Sequence, residues 1–367
     1  MRGTIAAIIV SGLIGLTALS STGNPQSRTN SRSTPSSHPG SADTDSHEVQ
    51  SLKELCALDA SARSRIDIAR ANLLTAKAAP GAENIDVDAI LQTLDQWAKH
   101  VASETDRHMY RWHQNPAEYN HSKGYFRMLM LIVVLQEDYG VRYNPARIHD
   151  PDFTNPADLF IHGMIDPAGE GGTCVSMPVL YTAIARRLGY PVNLVTTKAH
   201  VFARWDDGLG DRFNIEGTNR GMRTPTDEEL VSGNTHAKPE EIEQIGYHAA
   251  LDAHESHAVF LASLGHVQLD TGDPARAAET YAHAASLDPD NALYPYFIAT
   301  TSTPEDPPIR VGMGHQRDGY FDIMSRIDRI NRENMERLGL PHHNSGGVPG
   351  MPTGPTLPPS GFPVQSP

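Results

Sequence analysis

The chain has 367 residues, a formal net charge of −14 and 39% hydrophobic residues. At roughly 150 residues per domain, this length predicts two domains, or one large domain with an appendage. The hydrophobic content excludes a chain that is disordered throughout, and the acidic balance argues against a nucleic-acid-binding protein, which needs a basic face. The two cysteines, Cys56 and Cys174, can form at most one disulfide bond.

The N-terminal segment has the pattern of an export signal. Arg2 precedes an apolar stretch from Gly3 to Leu19, and the small residues Ala18 and Ser20 are spaced for cleavage after Ser20. A spanning helix usually needs about 20 residues, so this stretch is at the lower limit and an uncleaved anchor is the alternative. Both interpretations predict a periplasmic or secreted protein. The protein is expected to contact a membrane only if this segment is an uncleaved anchor.

Composition divides the rest of the chain into four parts. Residues 21–48 are rich in Ser, Thr, Asn, Pro and Gly and predict a flexible linker, and the Pro/Gly-rich residues 341–367 predict a disordered tail. Between them, residues 49–235 predict a domain with helices followed by strands. Residues 236–340 predict a second, helical region.

Three helical patterns open the first domain. An Ala-rich stretch from Ser51 to Ala78 ends at Pro80, and apolar residues at helical spacing predict a second helix from Asp86 to His113. The strongly apolar stretch from Tyr125 to Tyr139 predicts a helix that is buried on most sides and ends at Gly140.

The residues that carry chemistry lie between positions 171 and 221. Apolar residues at helical spacing follow Cys174, so we expect a helix with Thr173 as its N-cap and Cys174 in its first turn. Strand patterns follow at Val192–Thr196, His200–Trp205 and Arg212–Glu216, the last two separated by a turn signal.

These elements predict a nucleophilic thiol with two supporting groups. The positive end of a helix and a neighbouring imidazolium both lower the pKa of a thiol, and Cys174 and His200 are placed to use both. A carboxylate then holds the imidazole in one orientation, which is the role predicted for Glu216. His200 and Glu216 share a face of the sheet only in an even register, for example with Trp205 opposite Asp211.

Several stretches in this region together resemble the transglutaminase-like superfamily, and its SirB-type bacterial branch most closely. The most specific of them are Gly171–Cys174, Leu180–Tyr181, Ala185–Gly189, His200–Arg204 and Phe213–Thr218. The upstream stretches Ile85–Asp88, Leu94–Asp95 and Asn155–Phe160 also resemble that branch. The resemblance extends over roughly residues 72–290. Glu216 stands where the superfamily usually has Asp.

The resemblance implies an α+β fold in which a Cys-bearing helix packs on an antiparallel sheet that carries the His and the acid. It also implies cleavage or transfer of acyl groups at peptide or isopeptide amides, through a Cys174–His200–Glu216 triad and a thioester, on a protein or peptide substrate and without a cofactor. The Cys174 N–H is one expected oxyanion donor; Asn144 and His162 are candidates for the second. The alternative is an inert transglutaminase-like scaffold that binds a protein partner in the cell envelope.

Residues 258–291 resemble one tetratricopeptide repeat, a helix-turn-helix of about 34 residues. The matching positions are Leu261, Leu264, Gly265, Ala277, Tyr281, Ala284 and Pro289, whereas Gln268 replaces the usual aromatic residue. One repeat cannot bury both of its faces, so we expect covering helices at Pro239–Ala253 and Asp318–Leu338. The repeat predicts a partner-binding surface, and the alternative is a packing appendage of the first domain.

No metal site is predicted, although the chain has 18 histidines. His254 and His257 are spaced to share a helix face, and His248 lies nearby, but no residue has a convincing spacing for a third ligand and no His-Glu-x-x-His motif is present. A disulfide between Cys56 and Cys174 is an alternative that would block the predicted nucleophile.

Overall fold

The computed structural model describes residues 49–147, 152–166, 169–232 and 237–301. The predicted export signal, linker and tail, and the helix predicted at 318–338, lie outside these residues. Within the part of the chain that is described, no helix is both long enough and apolar enough to cross a membrane.

The Ala-rich stretch forms three short helices where the sequence pattern predicts one. They are α1 (Leu52–Ala57), α2 (Ala60–Ser64) and α3 (Ile68–Lys77). Each begins after a side chain that accepts a hydrogen bond from a backbone N–H in the first turn; these capping residues are Ser51, Asp59 and Asp67. Such caps satisfy donors that a helix start leaves unpaired, so each restarts the helix despite the continuous Ala-rich composition.

The next two helices confirm the predictions closely. α4 spans Val87–Gln114, and the Asp86 carboxylate caps it by accepting from the Ala89 N–H. α5 spans Lys123–Asp138 and is largely buried, and Gly140 leaves it in a left-handed conformation with φ +71°. A 3₁₀ turn at Pro116–Tyr119 connects α4 to α5. After α5, 3₁₀ turns at Pro145–Arg147 and Ile161–Met164 and the short helix α6 at Pro156–Leu159 lead to the site.

Helix α7 (Met177–Arg187) precedes an antiparallel sheet in the order β1 (Val192–Thr197), β2 (His200–Asp206) and β3 (Arg212–Ile215). The register is even, as a shared face for His200 and Glu216 requires, but Trp205 lies opposite Phe213 rather than Asp211. The reason is the loop Asp207–Asp211, because the Asp207 carboxylate accepts from the N–H groups of Leu209 and Asp211. These two hydrogen bonds need Asp211 in the loop, whereas the predicted pairing of Trp205 with Asp211 would place Asp211 in β3.

The two faces of the sheet pack against different parts of the chain. One face joins α7 in the main core, through Leu194, Val201, Ala203 and Ile215. The other carries Arg204, whose buried guanidinium donates to Asn214, to Asp227 and to the His248 carbonyl at 2.5–2.7 Å. These bonds tie Asp227 and His248 to this face of the sheet.

Five helices complete the described chain. They are α8 (Asp227–Ser232), α9 (Pro239–Ile245), α10 (Ala253–Asp270), α11 (Pro274–Leu287) and α12 (Leu293–Thr301). The prediction of one helix over Pro239–Ala253 is wrong about where the helix ends. α9 stops at Ile245, because Gly246 adopts φ +74° and terminates it. The chain then runs along β1, where the His248 and Leu251 N–H groups donate to the Thr196 and Leu194 carbonyls.

Helices α10 and α11 form an antiparallel pair with its own core. Buried members of this core are Ala258, Leu261, Ala277, Tyr281, Ala284 and Phe297. Phe297 comes from α12, so this helix, which no sequence pattern predicts, covers part of the pair. A buried contact also joins the pair to α2, since Arg63 donates to His257 Nδ1 at 2.7 Å.

The buried His257 makes the fold sensitive to acid. Burial, with a further contribution from Arg63, lowers the pKa of His257 to about 3, whereas an unfolded histidine titrates near 6.5. Below pH 6.5 the unfolded chain takes up a proton that the folded chain refuses, so stability is lost as pH falls, at about 1.4 kcal/mol per pH unit. His257→Gln keeps an acceptor for Arg63 and removes this loss. Between pH 6.5 and pH 5, urea unfolding should show that the free energy of unfolding falls by about 2 kcal/mol less in the variant than in the unmodified protein. An equal fall in both proteins would contradict this prediction.

Candidate active site

Cys174 lies in the turn before α7, not in its first turn. The helix begins at Met177 with Ser176 as its N-cap residue, so the prediction of Thr173 as N-cap is wrong. The physical reason is Pro178, which has no N–H and interrupts the first intrahelical bonds. Thr173 still organises the turn, because its carbonyl accepts from the Met177 N–H at 3.0 Å and its hydroxyl from the Val175 N–H.

The turn that carries Cys174 is anchored on both sides by buried hydrogen bonds. The Thr173 and Ser176 hydroxyls both donate to the Asp158 carbonyl, at 2.8 and 2.9 Å. On the other side, the Gly172 N–H donates to the Arg142 carbonyl, and the Gly172 carbonyl accepts from the Asn144 N–H. The nucleophile candidate is therefore fixed by the segments 142–144 and 156–159, as well as by its own helix.

Glu216 contacts His200 at the end of the sheet. Its Oε1 hydrogen-bonds His200 Nε2, and its Oε2 accepts from the Thr218 hydroxyl at 3.3 Å. Glu216 lies one residue beyond β3 and keeps the strand direction by exchanging two backbone hydrogen bonds with Arg223. The His200 and Glu216 side chains are 17% and 13% exposed, so a reactant can reach them while water around them is limited.

The Cys174 side chain is hydrogen-bonded to His200. The imidazole therefore contacts both the thiol and the Glu216 carboxylate. Burial lowers the pKa of His200, but the charge of Glu216 and the hydrogen bonds from the imidazole to Cys174 and Glu216 outweigh it and raise the pKa to about 10. His200 is therefore an imidazolium at neutral pH. The three side chains that the sequence singles out lie together in one site.

The turn between β1 and β2 holds His200 in place. Ala199, which precedes it, adopts a left-handed conformation with φ +57°, which a non-glycine residue adopts at a cost. The preceding Lys198 pairs with the buried Glu241 of α9 at 3.4 Å. A tight turn and an ion pair thus fix the start of β2, where the imidazole is attached.

Tyr143 is a site residue that sequence reasoning missed. Its phenol is hydrogen-bonded to the Cys174 side chain and also accepts from the Cys174 N–H, and burial together with Cys174 raises the pKa of the phenol. Its backbone forms a parallel bridge to Gly172, which fixes it beside the nucleophile candidate. Tyr143 lies in a loop-rich stretch without periodicity, so nothing in the sequence pattern could have found it.

Of the two residues considered as second oxyanion donors, Asn144 has another role in the structure. Both N–H groups of the Asn144 amide are engaged, since its Nδ2 donates to Asp158 and Glu170 at 3.1 Å each. His162 is held neutral, because burial lowers its pKa to about 4. Asn144 is therefore part of the scaffold under Cys174 and is not available to a substrate oxygen.

Both cysteines are thiols, and no disulfide joins them. Burial raises the pKa of the Cys56 thiol, although the charge of Arg63 opposes this, so Cys56 is a poor nucleophile and a useful internal comparison for Cys174. Among the residues that the structure describes, no group of three or more His, Cys, Asp or Glu side chains is arranged to hold a metal ion.

Comparison with known protein families matches residues 88–251 to the transglutaminase-like superfamily. Neither the curated proteins nor the solved structures contain a match to the chain. The matched residues include Cys174, His200, Glu216 and Tyr143, and they extend through the segment that pairs with β1. Residues 88–251 are therefore a transglutaminase-like domain, with a small three-stranded antiparallel sheet among helices.

Proposed function

We propose that the protein is a cysteine-dependent enzyme that cleaves peptide or isopeptide amides or transfers their acyl group to an amine. The observation that carries this proposal is the placement of the His200 imidazole between the Cys174 thiol and the Glu216 carboxylate. The family of the domain is consistent with thiol chemistry at a carbonyl carbon. We further propose that the enzyme acts outside the cytoplasm, on the basis of its N-terminal sequence.

In this mechanism Cys174 and His200 react as a thiolate–imidazolium pair. The sulfur attacks the carbonyl carbon, and the tetrahedral intermediate breaks its C–N bond as His200 gives its proton to the leaving amine. The product is a thioester on Cys174. Water or a second amine then attacks the thioester and gives a proton to His200, and the C–S bond breaks to restore the pair. Glu216 keeps the imidazole in one orientation throughout.

The negative oxygen of the tetrahedral intermediate needs fixed hydrogen-bond donors. The Cys174 N–H is one, as in other thiol and serine enzymes. We assign the second to Tyr143, because its phenol already contacts both the N–H and the sulfur of Cys174. When a substrate carbonyl takes the Cys174 N–H, the phenol is released from that bond and can donate its proton to the same oxygen.

The test of the proposal uses an activated ester, because the natural substrate is not needed to detect the thioester. On mixing the full chain with p-nitrophenyl acetate, we expect a burst of nitrophenolate equal to the enzyme concentration and an acetyl group on Cys174, located by peptide mass spectrometry. Added butylamine separates the two reactions, since transfer forms N-butylacetamide and hydrolysis forms acetate only.

The matched controls are the two cysteine variants. Cys56→Ser is expected to keep the burst, whereas Cys174→Ser is expected to lose it. Acetylation of Cys56 and Cys174 at equal rates, or a burst that survives in Cys174→Ser, would show that the site has no special reactivity and would remove the enzyme proposal.

Tyr143→Phe separates oxyanion stabilisation from the reactivity of the sulfur. Removing one oxyanion donor costs about a hundredfold in rate, so we expect acylation of the variant by the ester to slow by about that factor. Alkylation of Cys174 by iodoacetamide passes through no oxyanion, and its rate should change little. An equal loss in both reactions would instead mean that Tyr143 only positions Cys174.

We also propose that α10 and α11 form one tetratricopeptide-like repeat. Support comes from their packing: a Cβ on Gly265 would meet the Tyr281 ring at 2.3 Å, so the glycine allows the close contact between the two helices. Ala277 and Ala284, on the same helix as Tyr281, are fully buried in this contact. The sequence resembles the repeat at these same positions. The packing of the two helices therefore supports the proposal in addition to the spacing of the residues.

A further inference from the structure

The loop after Glu216 leaves the sheet and returns to it within a few residues. Residues 217–222 separate Glu216 from Arg223, with which it forms an antiparallel bridge. The pairing of β3 with β2 ends one residue earlier, at Ile215 opposite Ala203. The position of the Glu216 carboxylate therefore depends on the course of this loop as well as on the sheet.

One side chain, that of Gln136 on α5, makes three hydrogen bonds with the backbone of this loop. Its Nε2 donates to the Gly217 carbonyl at 3.1 Å and to the Asn219 carbonyl at 3.0 Å. Its Oε1 accepts from the Gly221 N–H at 2.7 Å. Because an amide carries both donors and an acceptor, a single side chain can hold both carbonyl and N–H groups of the loop against α5.

A second contact holds the first residue of the loop against the core. The hydroxyl of Tyr181, a residue of α7 that is 1% exposed, donates to the Gly217 carbonyl at 2.9 Å. A Cβ on Gly217 would lie 2.5 Å from the Tyr181 ring and 3.2 Å from the Ile132 side chain of α5. The absence of a side chain at Gly217 thus lets the loop approach both helices.

We propose that Gln136 is a positioning residue, which fixes this loop so that Glu216 keeps the His200 imidazole in its orientation. The link is short, because Gly217 directly follows Glu216 and the Thr218 hydroxyl donates to Glu216 Oε2 at 3.3 Å. A group that orients a reacting side chain must itself be held by further hydrogen bonds. The inference rests on the proposed function, in which Glu216 orients the imidazole, and it adds the residue that holds this acid in place.

The test is NMR titration of His200 in the full chain carrying Gln136→Met, which keeps a side chain of similar length and removes the three hydrogen bonds. Glu216 and Cys174 both act on the pKa of His200, so a less firmly held Glu216 should lower that pKa. We expect a fall of about one pKa unit. We also expect acylation of Cys174 by p-nitrophenyl acetate to slow by about tenfold, because catalysis is sensitive to small displacements. A role in stability alone would leave the pKa in the folded protein unchanged.

A second variant and a matched control complete the test. The amide of Gln136→Asn is too short to reach the loop, and this variant keeps a polar side chain if Gln136→Met disturbs the fold; it should lower the pKa of His200 in the same direction. Glu137→Gln is the control, because Glu137 is the next residue of α5 and pairs with Arg220 of the same loop at 3.0 Å, but both side chains are exposed. It should leave the pKa and the acylation rate unchanged.

The role of Gln136 is overturned if the pKa of His200 is unchanged in both Gln136 variants, or if it falls equally in Glu137→Gln. A failure of the proposed function gives a different result. In that case the pKa falls in the Gln136 variants, but the unmodified protein shows no burst with p-nitrophenyl acetate.

Discussion

Replacing His200 by alanine is expected to slow the alkylation of Cys174 by iodoacetamide at pH 6 by about a hundredfold. The raised pKa of His200 keeps the imidazole charged at this pH, and a positive charge beside a thiol increases its reactivity with an electrophile. An ordinary thiol is less than about 1% ionised at pH 6. Without the imidazolium, the sulfur should react as an ordinary thiol.

Rates are measured for each cysteine by peptide mass spectrometry, so that Cys56 reports in the same tube. His100→Ala is the matched control, because His100 is exposed and pairs with Asp138 on the surface of α4 and α5. We expect it to leave Cys174 as reactive as in the unmodified protein. If His200→Ala also leaves the rate unchanged, the imidazole does not activate the sulfur and the proposed mechanism is wrong.

Asp158→Ala is expected to lower the free energy of unfolding by about 3–5 kcal/mol. The Asp158 carboxylate is 3% exposed, accepts from Arg147 Nε at 2.7 Å and from the Asn144 amide, and lies directly under the turn that carries Cys174. Its loss leaves a buried N–H of the Asn144 amide without its acceptor and removes one of the two carboxylates that pair with Arg147, and the cost of the unpaired buried donor exceeds the value of the bonds themselves.

Chemical denaturation of Asp158→Ala measures this effect, and Asp152→Asn is its control. Asp152 is also paired with Arg147, but at 3.4 Å and with a side chain that is 32% exposed, so we expect its loss to cost less than about 1 kcal/mol. The Asp158 carboxylate holds the segment whose backbone carbonyl anchors Thr173 and Ser176. We therefore also expect slower alkylation of Cys174 in the folded Asp158→Ala protein, because the segment under the turn is less well fixed. Equal stabilities for the two variants would refute this account of the buried network.

Local sequence patterns were sufficient to predict the elements whose causes are local. Asp86 caps α4, Gly140 ends α5, and the alternation of β2 and β3 places His200 and Glu216 on one face. For the site, two features predict that Cys174, His200 and Glu216 lie together. One is their order along the chain, and the other is the alternation of side chains between the two faces of a strand.

Other features depend on contacts between segments that are distant in sequence, and these could not be predicted. Tyr143 reaches Cys174 because its strand-like segment bridges Gly172, and no periodicity marks it. α12 depends on a core supplied by α10 and α11. The error at Thr173 is of another kind: Pro178 was visible in the sequence, and its missing N–H explains why the regular helix begins after Cys174.

The central claim is that Cys174, His200 and Glu216 act as one charged unit, and NMR titration of the His200 imidazole tests it most directly. The resonance is assigned with His200→Gln, and the titration is repeated in Cys174→Ala and Glu216→Gln. We predict a pKa of about 10 in the unmodified protein and a lower value in each variant. Titration near 6.5, the ordinary value for histidine, with no change in either variant, would contradict the claim.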